Sequence, residues 1–338
     1  MKIDFEHLQS AHCENGVTRS LLKNIGVHQM TEPLAFGIGS GLFFVYLPFL
    51  KINNGPVIAF RTMPGHIFNR TCTALGIEVI RKKFTSKENA QKFLDECLDT
   101  GHPVGCQVGV YYLPYFPKEY RFHFNAHNLI VYGKEDDKYL ISDPVVENAV
   151  TLNSYELERV RFAKGTLAPR GQIYYPKAGA IVTDDQIKKA IISGIKKNVN
   201  SMLHIPLPLV GVKGIRFTGN KIKKWRDKLG IKQAGLYLAQ LVRMQEEIGT
   251  GGGGFRYIYG AFLQEAHAYH PIDELLGISK MFTNAGDLWR TAAVQAAGIY
   301  KGRIGSQEDF NTMGDYLLSI AEMERQAFVA LSKINWAS

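Results

Sequence analysis

Three residues of this chain have the types and the setting of a thiol-based acyl-transfer site. Cys13 heads an apolar series, Val17, Leu21, Leu22 and Ile25, spaced like one face of a helix, and Gly26 supplies a stop. On the first turn of such a helix, the N–H groups and the positive end of the dipole favour thiolate over a thiol whose free pKa is about 8.5. His127 opens the run HNLIVYG, Asp143 closes the run KYLISDP, and Glu135-Asp136-Asp137 between them read as a turn. A hairpin centred near Glu135 sets His127 directly opposite Asp143, with Cβ atoms about 4.5–5.5 Å apart, so the carboxylate accepts from the imidazole and fixes its tautomer. Pro144 holds Asp143 extended and ends the strand. Nucleophile, base and orienter thus follow one another along the chain. Singly, each residue has a plainer reading as a buried thiol, a half-exposed histidine or an Asp-Pro turn; the set is what points to chemistry.

The segments HCENGVTRSLLKNIG, TEPLAFGIGSGLFF, FNAHNLIVYG and YLISDP resemble the N-terminal domain of the butirosin-biosynthesis acyltransferase family. That domain is similar to the papain-like peptidases that trim bacteriocin leaders, which share a Cys, a strand-opening His and an Asp-Pro. The later IGTGGGGFRYIYGAFLQEA resembles the glycine-rich signature of the helical domain that follows it in many members. The resemblance covers most of the chain. It implies transfer of an acyl group from the phosphopantetheine arm of an acyl carrier protein, through a Cys13 thioester, to an amine or hydroxyl of a small-molecule acceptor in secondary metabolism. His127 would serve as base and then acid, with Asp143 orienting it and no permanently bound cofactor. Papain-like enzymes place a glutamine shortly before the cysteine to complete the oxyanion hole. Here His7 stands six residues before Cys13 and Gln9 four before, so the Cys13 N–H is the expected first donor and Gln9 the candidate second.

Four further residues are secondary candidates for lining the oxyanion or substrate site. His123 is the rival base, because four residues before His127 it faces the same side of an extended chain. Only His127 leads into the strand and pairs with Asp143, which leaves His123 a place near the substrate. Glu32 precedes FGIGSGLFF, whose spacing is wrong for a nucleotide fingerprint and reads as close backbone packing. The glycine run at 251–254 opens a helix near Phe255; its N–H groups, Gly251 included, suit a phosphate or carboxylate, with Arg256 close by. The alternative is a loop needing unusual dihedrals and tight packing. No Walker lysine accompanies it, which excludes an ATP site.

Composition bounds the class. With 338 residues, 46% hydrophobic and 21% charged, the chain has the balance of a folded two-domain protein and not of a disordered one. Cys13, Cys72, Cys97 and Cys106 show no C-x-x-C spacing, and His102, His123 and His127 lack a second ligand cluster, so neither disulfides nor a metal are expected. The N-terminal residues have no signal-like apolar core, and the longest apolar run, 37–50, falls short of the roughly twenty residues of a membrane helix. A cytoplasmic protein without a membrane span is the expectation.

Residues 1–150 mix a helix, short strand-like runs (PVIAF, PVGCQVGVYYL, NLIVYG) and the helix SKENAQKFLDECLDTG, capped by Ser86, with Leu94 and Leu98 inward and a stop at Gly101. Beyond 150 the periods are helical. Thr183 to Gln186 form a capping-box pattern for a helix to about Met202, and others are expected at 234–248, 256–268, 284–298 and 308–333. The expected fold class is therefore α+β, with a mixed domain over 1–150 and a mostly helical one over 151–338; the resemblance implies that the first is a papain-like, bacteriocin-peptidase-like catalytic domain and that the second contributes the substrate pocket and carrier docking. Between Thr183 and Gln240 stand twelve Lys or Arg and three Asp, an excess equal to the chain's whole formal charge of +9. Such a segment attracts an acidic partner, as carrier proteins are, and no nucleic-acid reader motif accompanies it. Two other readings stand beside the acyltransferase: a cysteine hydrolase, thioesterase or peptidase, using the same triad, and a non-catalytic carrier-binding module, which the intact triad disfavours.

Overall fold

The computed structural model describes residues 2–52, 55–179 and 181–336. In chain order its elements are α1 (Cys13–Asn24), α2 (Glu32–Ile38), β1 (Leu42–Ile52), β2 (Gly55–Arg61), α3 (His66–Ala74), β3 (Val79–Lys82), α4 (Lys87–Asp99), β4 (Val104–Val108), β5 (His127–Glu135), β6 (Lys138–Ser142), β7 (Val150–Asn153), α5 (Ser154–Arg161), β8 (Ile173–Pro176), α6 (Asp184–Val199), α7 (Gly211–Ile222), α8 (Trp225–Val242), α9 (Arg256–Tyr269), α10 (Glu274–Tyr300) and α11 (Gln307–Lys333). The class is α+β, as the sequence predicts.

The chain forms two compact units that do not follow one cut at 150. The first comprises Met1–Ala35 and Ile67–Thr183, the second Phe36–His66 and Asp184–Ser338. Strand pairing is the reason for the later limit. β8 lies between β3 and β4 in an antiparallel sheet of order β3-β8-β4-β5-β6-β7, so the sheet closes only with residues beyond 150. Aromatic burial is the reason for the insertion. Phe44 on β1 and Phe60 on β2 pack against Trp289 of α10, with ring centroids 6.0 and 5.1 Å away, which places the β1–β2 hairpin in the helical unit.

In the first unit, alternation along each strand builds the core. Leu129, Val131, Cys106, Val108 and Ile173 turn to one face, where Leu94 and Leu98 of α4 and Leu157 and Val160 of α5 cover them. The α4 helix begins as its sequence predicts: Ser86 Oγ accepts the Asn89 N–H at 3.1 Å, and Gly101 past its end has φ +79°. In the second unit, helices occupy the expected stretches with three differences. α6 ends at Val199 and continues as a wider turn over Asn200–His204, α10 starts at Glu274, and the basic segment itself forms α7 and α8, the latter broken at Gly230. Small residues at helix spacing in α7, Gly211, Gly214 and Gly219, masked its apolar face in the sequence, whereas Ile215 and Ile222 are buried.

Candidate active site

The start of α1 is held by two carboxylates of opposite logic. Glu32, the first residue of α2, accepts the N–H groups of Ala11 at 3.0 Å and His12 at 2.8 Å, placing negative charge at the helix N-terminus where the dipole favours it. Burial pushes the Glu32 carboxyl up, against those two N–H groups and nearby Arg19. Glu14, wholly buried one residue after Cys13, turns away and accepts from Ile67 and Phe68 N–H at 3.0 and 3.4 Å, at the start of α3. Glu32 therefore holds the N-terminus of α1.

Three hydrogen bonds fix the segment before Cys13 to the one around Asp143. His7 bonds through Nδ1 to Ser142 Oγ at 2.8 Å and through Nε2 to the Val146 carbonyl at 3.1 Å, and Ser10 N–H donates to the Pro144 carbonyl at 2.7 Å. Gly16 makes the approach possible. A Cβ there would stand 2.4 Å from Pro144 Cβ, inside any real contact.

His127 Nε2 donates to Asp143 Oδ2 at 2.7 Å, and both groups are buried. The register differs from the directly opposed pair expected. The hairpin turns on Asp136-Asp137, with Asp136 left-handed at φ +54°, Glu135 opposite Lys138 and an irregularity between Val131 and Gly133, so Ile130 faces Ser142. His127 pairs directly with Val108 on β4, and Asp143 lies one residue past β6, diagonal to His127 on the same face. Diagonal neighbours stand about 7–8 Å apart, within reach of an imidazole and a carboxylate.

The ring's other partner is Cys13, 6% exposed at the head of α1. Burial opposes charge on the His127 ring, but the Asp143 carboxylate and the Cys13 sulfur outweigh it and push its pKa up to about 10. The same contacts favour the protonated ring beside the Cys13 sulfur. Phe116 packs its ring edge on His127 at 5.5 Å. Asp143 also accepts from the Tyr115 hydroxyl at 2.7 Å and the Val145 N–H at 3.2 Å. Asn128, next on β5, directs its amide Nδ2 at Cys13 Sγ, 3.8 Å away.

The structure brings Cys13, His127 and Asp143 together, with Glu32 on the N–H groups just before Cys13, and the other candidates make other contacts. Gln9 is exposed, and its backbone carbonyl accepts from Arg19 Nη2 at 3.0 Å. His123 is exposed and stacks on Tyr111 at 4.1 Å. Arg256, fully buried, forms a bidentate pair with Glu324 at 2.8 Å on both arms and donates to the Gly254 carbonyl, so it does not offer its charge to an anion. The loop holding Gly251 is built for its own turn. The Gly252 and Gly253 N–H groups go to Thr250 Oγ1 and Glu246 Oε1, and Gly254, at φ +58°, lies so close to Phe60 that a Cβ would stand 2.5 Å from its ring. Unusual dihedrals and tight packing thus account for the glycines, and the anion reading of this loop is set aside.

Tyr115, Asn128, His7 and Glu14 carry no spacing signal. Asn128 is legible only as the neighbour of His127. Among the described residues no group of three His, Cys, Asp or Glu could hold a metal ion, and no helix is long and apolar enough to cross a membrane.

Residues 12–144 match the family described as "Butirosin biosynthesis protein H, N-terminal", and residues 155–331 match "Domain of unknown function (DUF4872)". No curated protein matches the chain. Among solved structures, a C39-like peptidase from Bacillus anthracis is similar at 13% identity and a TM-score of 0.37, over 54% of this chain and 100% of that one.

Proposed function

The chain belongs to the DUF4872 family over residues 155–331 and matches the butirosin biosynthesis protein H N-terminal family over residues 12–144, and from that premise we propose that it is a cysteine-dependent acyltransferase fed by an acyl carrier protein. The observation that carries the reading is the buried chain of contacts Cys13–His127–Asp143 at the head of α1. Cys13 Sγ attacks the carrier thioester, the pantetheine sulfur leaves with a proton from His127, and the neutral ring then takes the proton of an amine or hydroxyl as it attacks the Cys13 thioester. Asp143 keeps the ring oriented through both steps.

The donor reading draws on charge. Lys213 and Lys221 of α7, Lys224, and Lys228 and Lys232 of α8 are exposed, and none has an acidic partner among the described residues, whereas Arg216 and Lys223 pair with Glu322 and Asp315. Uncompensated positive charge of this kind attracts an acidic carrier and does so more strongly at low salt.

Intact-mass analysis after incubation with a panel of acyl carrier proteins and N-acetylcysteamine thioesters tests the proposal. The expected result is one acyl increment on the wild type, none on Cys13→Ala, and discharge by an added amine faster than by water. Rapid turnover with water alone would establish the hydrolase instead. Reversing Lys221, Lys224 and Lys228 to glutamate should slow acylation by the carrier and leave the small thioester unaffected.

A further inference from the structure

Acyl transfer through a thioester needs two donors aimed at the oxygen that gains charge, and the sequence offers no glutamine in the usual place. The first is expected from the N–H of the nucleophile itself at the head of α1. For the second, we propose that the Asn128 amide is the side-chain donor of the oxyanion hole; the inference rests on the acyl-transfer reading above and adds the group that stabilises its transition state.

Asn128 is 3% exposed, and its amide is held in one orientation. Nδ2 donates to the Ala126 carbonyl at 3.1 Å, and because a carbonyl only accepts, this bond assigns the nitrogen to that side. On the other side, Oδ1 accepts the Tyr174 hydroxyl at 2.7 Å; burial raises that phenol well above its ordinary pKa and keeps it a donor. The second Nδ2 hydrogen is directed at Cys13 Sγ, 3.8 Å away. When Sγ bonds to the acyl carbon, the carbonyl π pair moves onto an oxygen one bond beyond that carbon. A donor held at this distance from sulfur is within reach of an oxygen so placed, where effective donors stand about 2.7–3.1 Å away. Collapse returns the pair to the carbonyl, breaks the bond to the leaving sulfur and sends the His127 proton to it. The amide is fixed before reaction and needs no reorganisation as charge develops. Gln9, by contrast, is exposed.

Two reactions of the same sulfur separate this role from others. Acylation by an N-acetylcysteamine thioester passes through a tetrahedral oxyanion; alkylation by iodoacetamide displaces iodide and forms none. Asn128→Ala and the closer-sized Asn128→Leu should lower the acylation rate by about 10²–10³-fold and leave the Cys13 alkylation rate within about twofold of wild type. Tyr174→Phe, which removes one of the two bonds that orient the amide, should lower acylation by a smaller factor with alkylation again retained. The alkylation rate also reports an intact nucleophile in each variant. Parallel loss of both reactions in the folded variants would make Asn128 a partner of the ground-state sulfur or a packing residue and overturn the inference. Unchanged acylation would overturn it as well. Failure of the acyl-transfer reading has a different signature: wild type that is alkylated at Cys13 but accepts no acyl group from any thioester.

Discussion

Tyr115 donates its hydroxyl to Asp143 Oδ2 at 2.7 Å, the same oxygen that receives His127 Nε2 at 2.7 Å. Burial first, and then the carboxylate, raise the phenol well above its ordinary pKa, so Tyr115 remains a donor at any pH at which the protein works. Asp143 is thus pinned on one oxygen by Tyr115 and His127, with Val145 N–H on its other oxygen at 3.2 Å.

Tyr115→Phe keeps the ring and removes the donor. Acylation should fall about tenfold, the effect of losing a charge-assisted bond worth roughly 1.5–3 kcal/mol in part. Asp143→Asn should fold and lose on the order of 10³–10⁴ in rate through the wrong imidazole tautomer. Rates measured from pH 6 to 10 check the mechanism. A positioning role for Tyr115 moves the basic limb of the profile; a packing role lowers stability and leaves the limb in place.

Iodoacetamide at neutral pH should label Cys13 and spare the other three thiols. Burial pushes Cys72 up to about 12, Cys106 up to about 11 and Cys97 upward as well, so none of them is a thiolate there. Peptide mapping reads the selectivity directly. His127→Ala should slow Cys13 labelling at least tenfold by removing the cation beside the sulfur.

The raised His127 pKa has a defined signature in stability. An unfolded imidazole has a pKa near 6.5 and the folded ring is pushed up to about 10, so its contribution is full below about pH 6.5 and is lost as pH rises through about 10. Denaturant melts of wild type and His127→Gln across pH 6–10.5 should therefore differ most at the acidic end. A gap that stays constant or widens with pH would contradict the paired imidazolium.

In the helical unit, Arg256 and Glu324 are both fully buried, and Trp289 Nε1 adds a 2.9 Å bond to Glu324 Oε1. Arg256→Met or Glu324→Leu alone should each cost about 3–5 kcal/mol, because the partner is left charged and unpaired. The double variant should recover most of that loss in denaturant titrations.

The sequence by itself determined the local chemistry: a cysteine at a helix head, a histidine opening a strand, an aspartate before a proline, and the caps of α4. Each is a short-range fact of propensity and spacing, set within a few residues. Only the tertiary structure decided which residues meet. One register shift moved Asp143 from directly opposite His127 to a diagonal place, because a strand's pairing depends on its turn and its irregularities as well as its pattern. β8 entered the sheet from beyond residue 150, and the β1–β2 hairpin joined the helices, because hydrogen bonds and aromatic burial link segments distant in sequence. Tyr115 and Asn128 gained partners 28 and 115 residues away, contacts that no local pattern encodes. Arg256 went the other way, from an apparent anion binder to a buried ion pair, since exposure is a property of the folded chain alone.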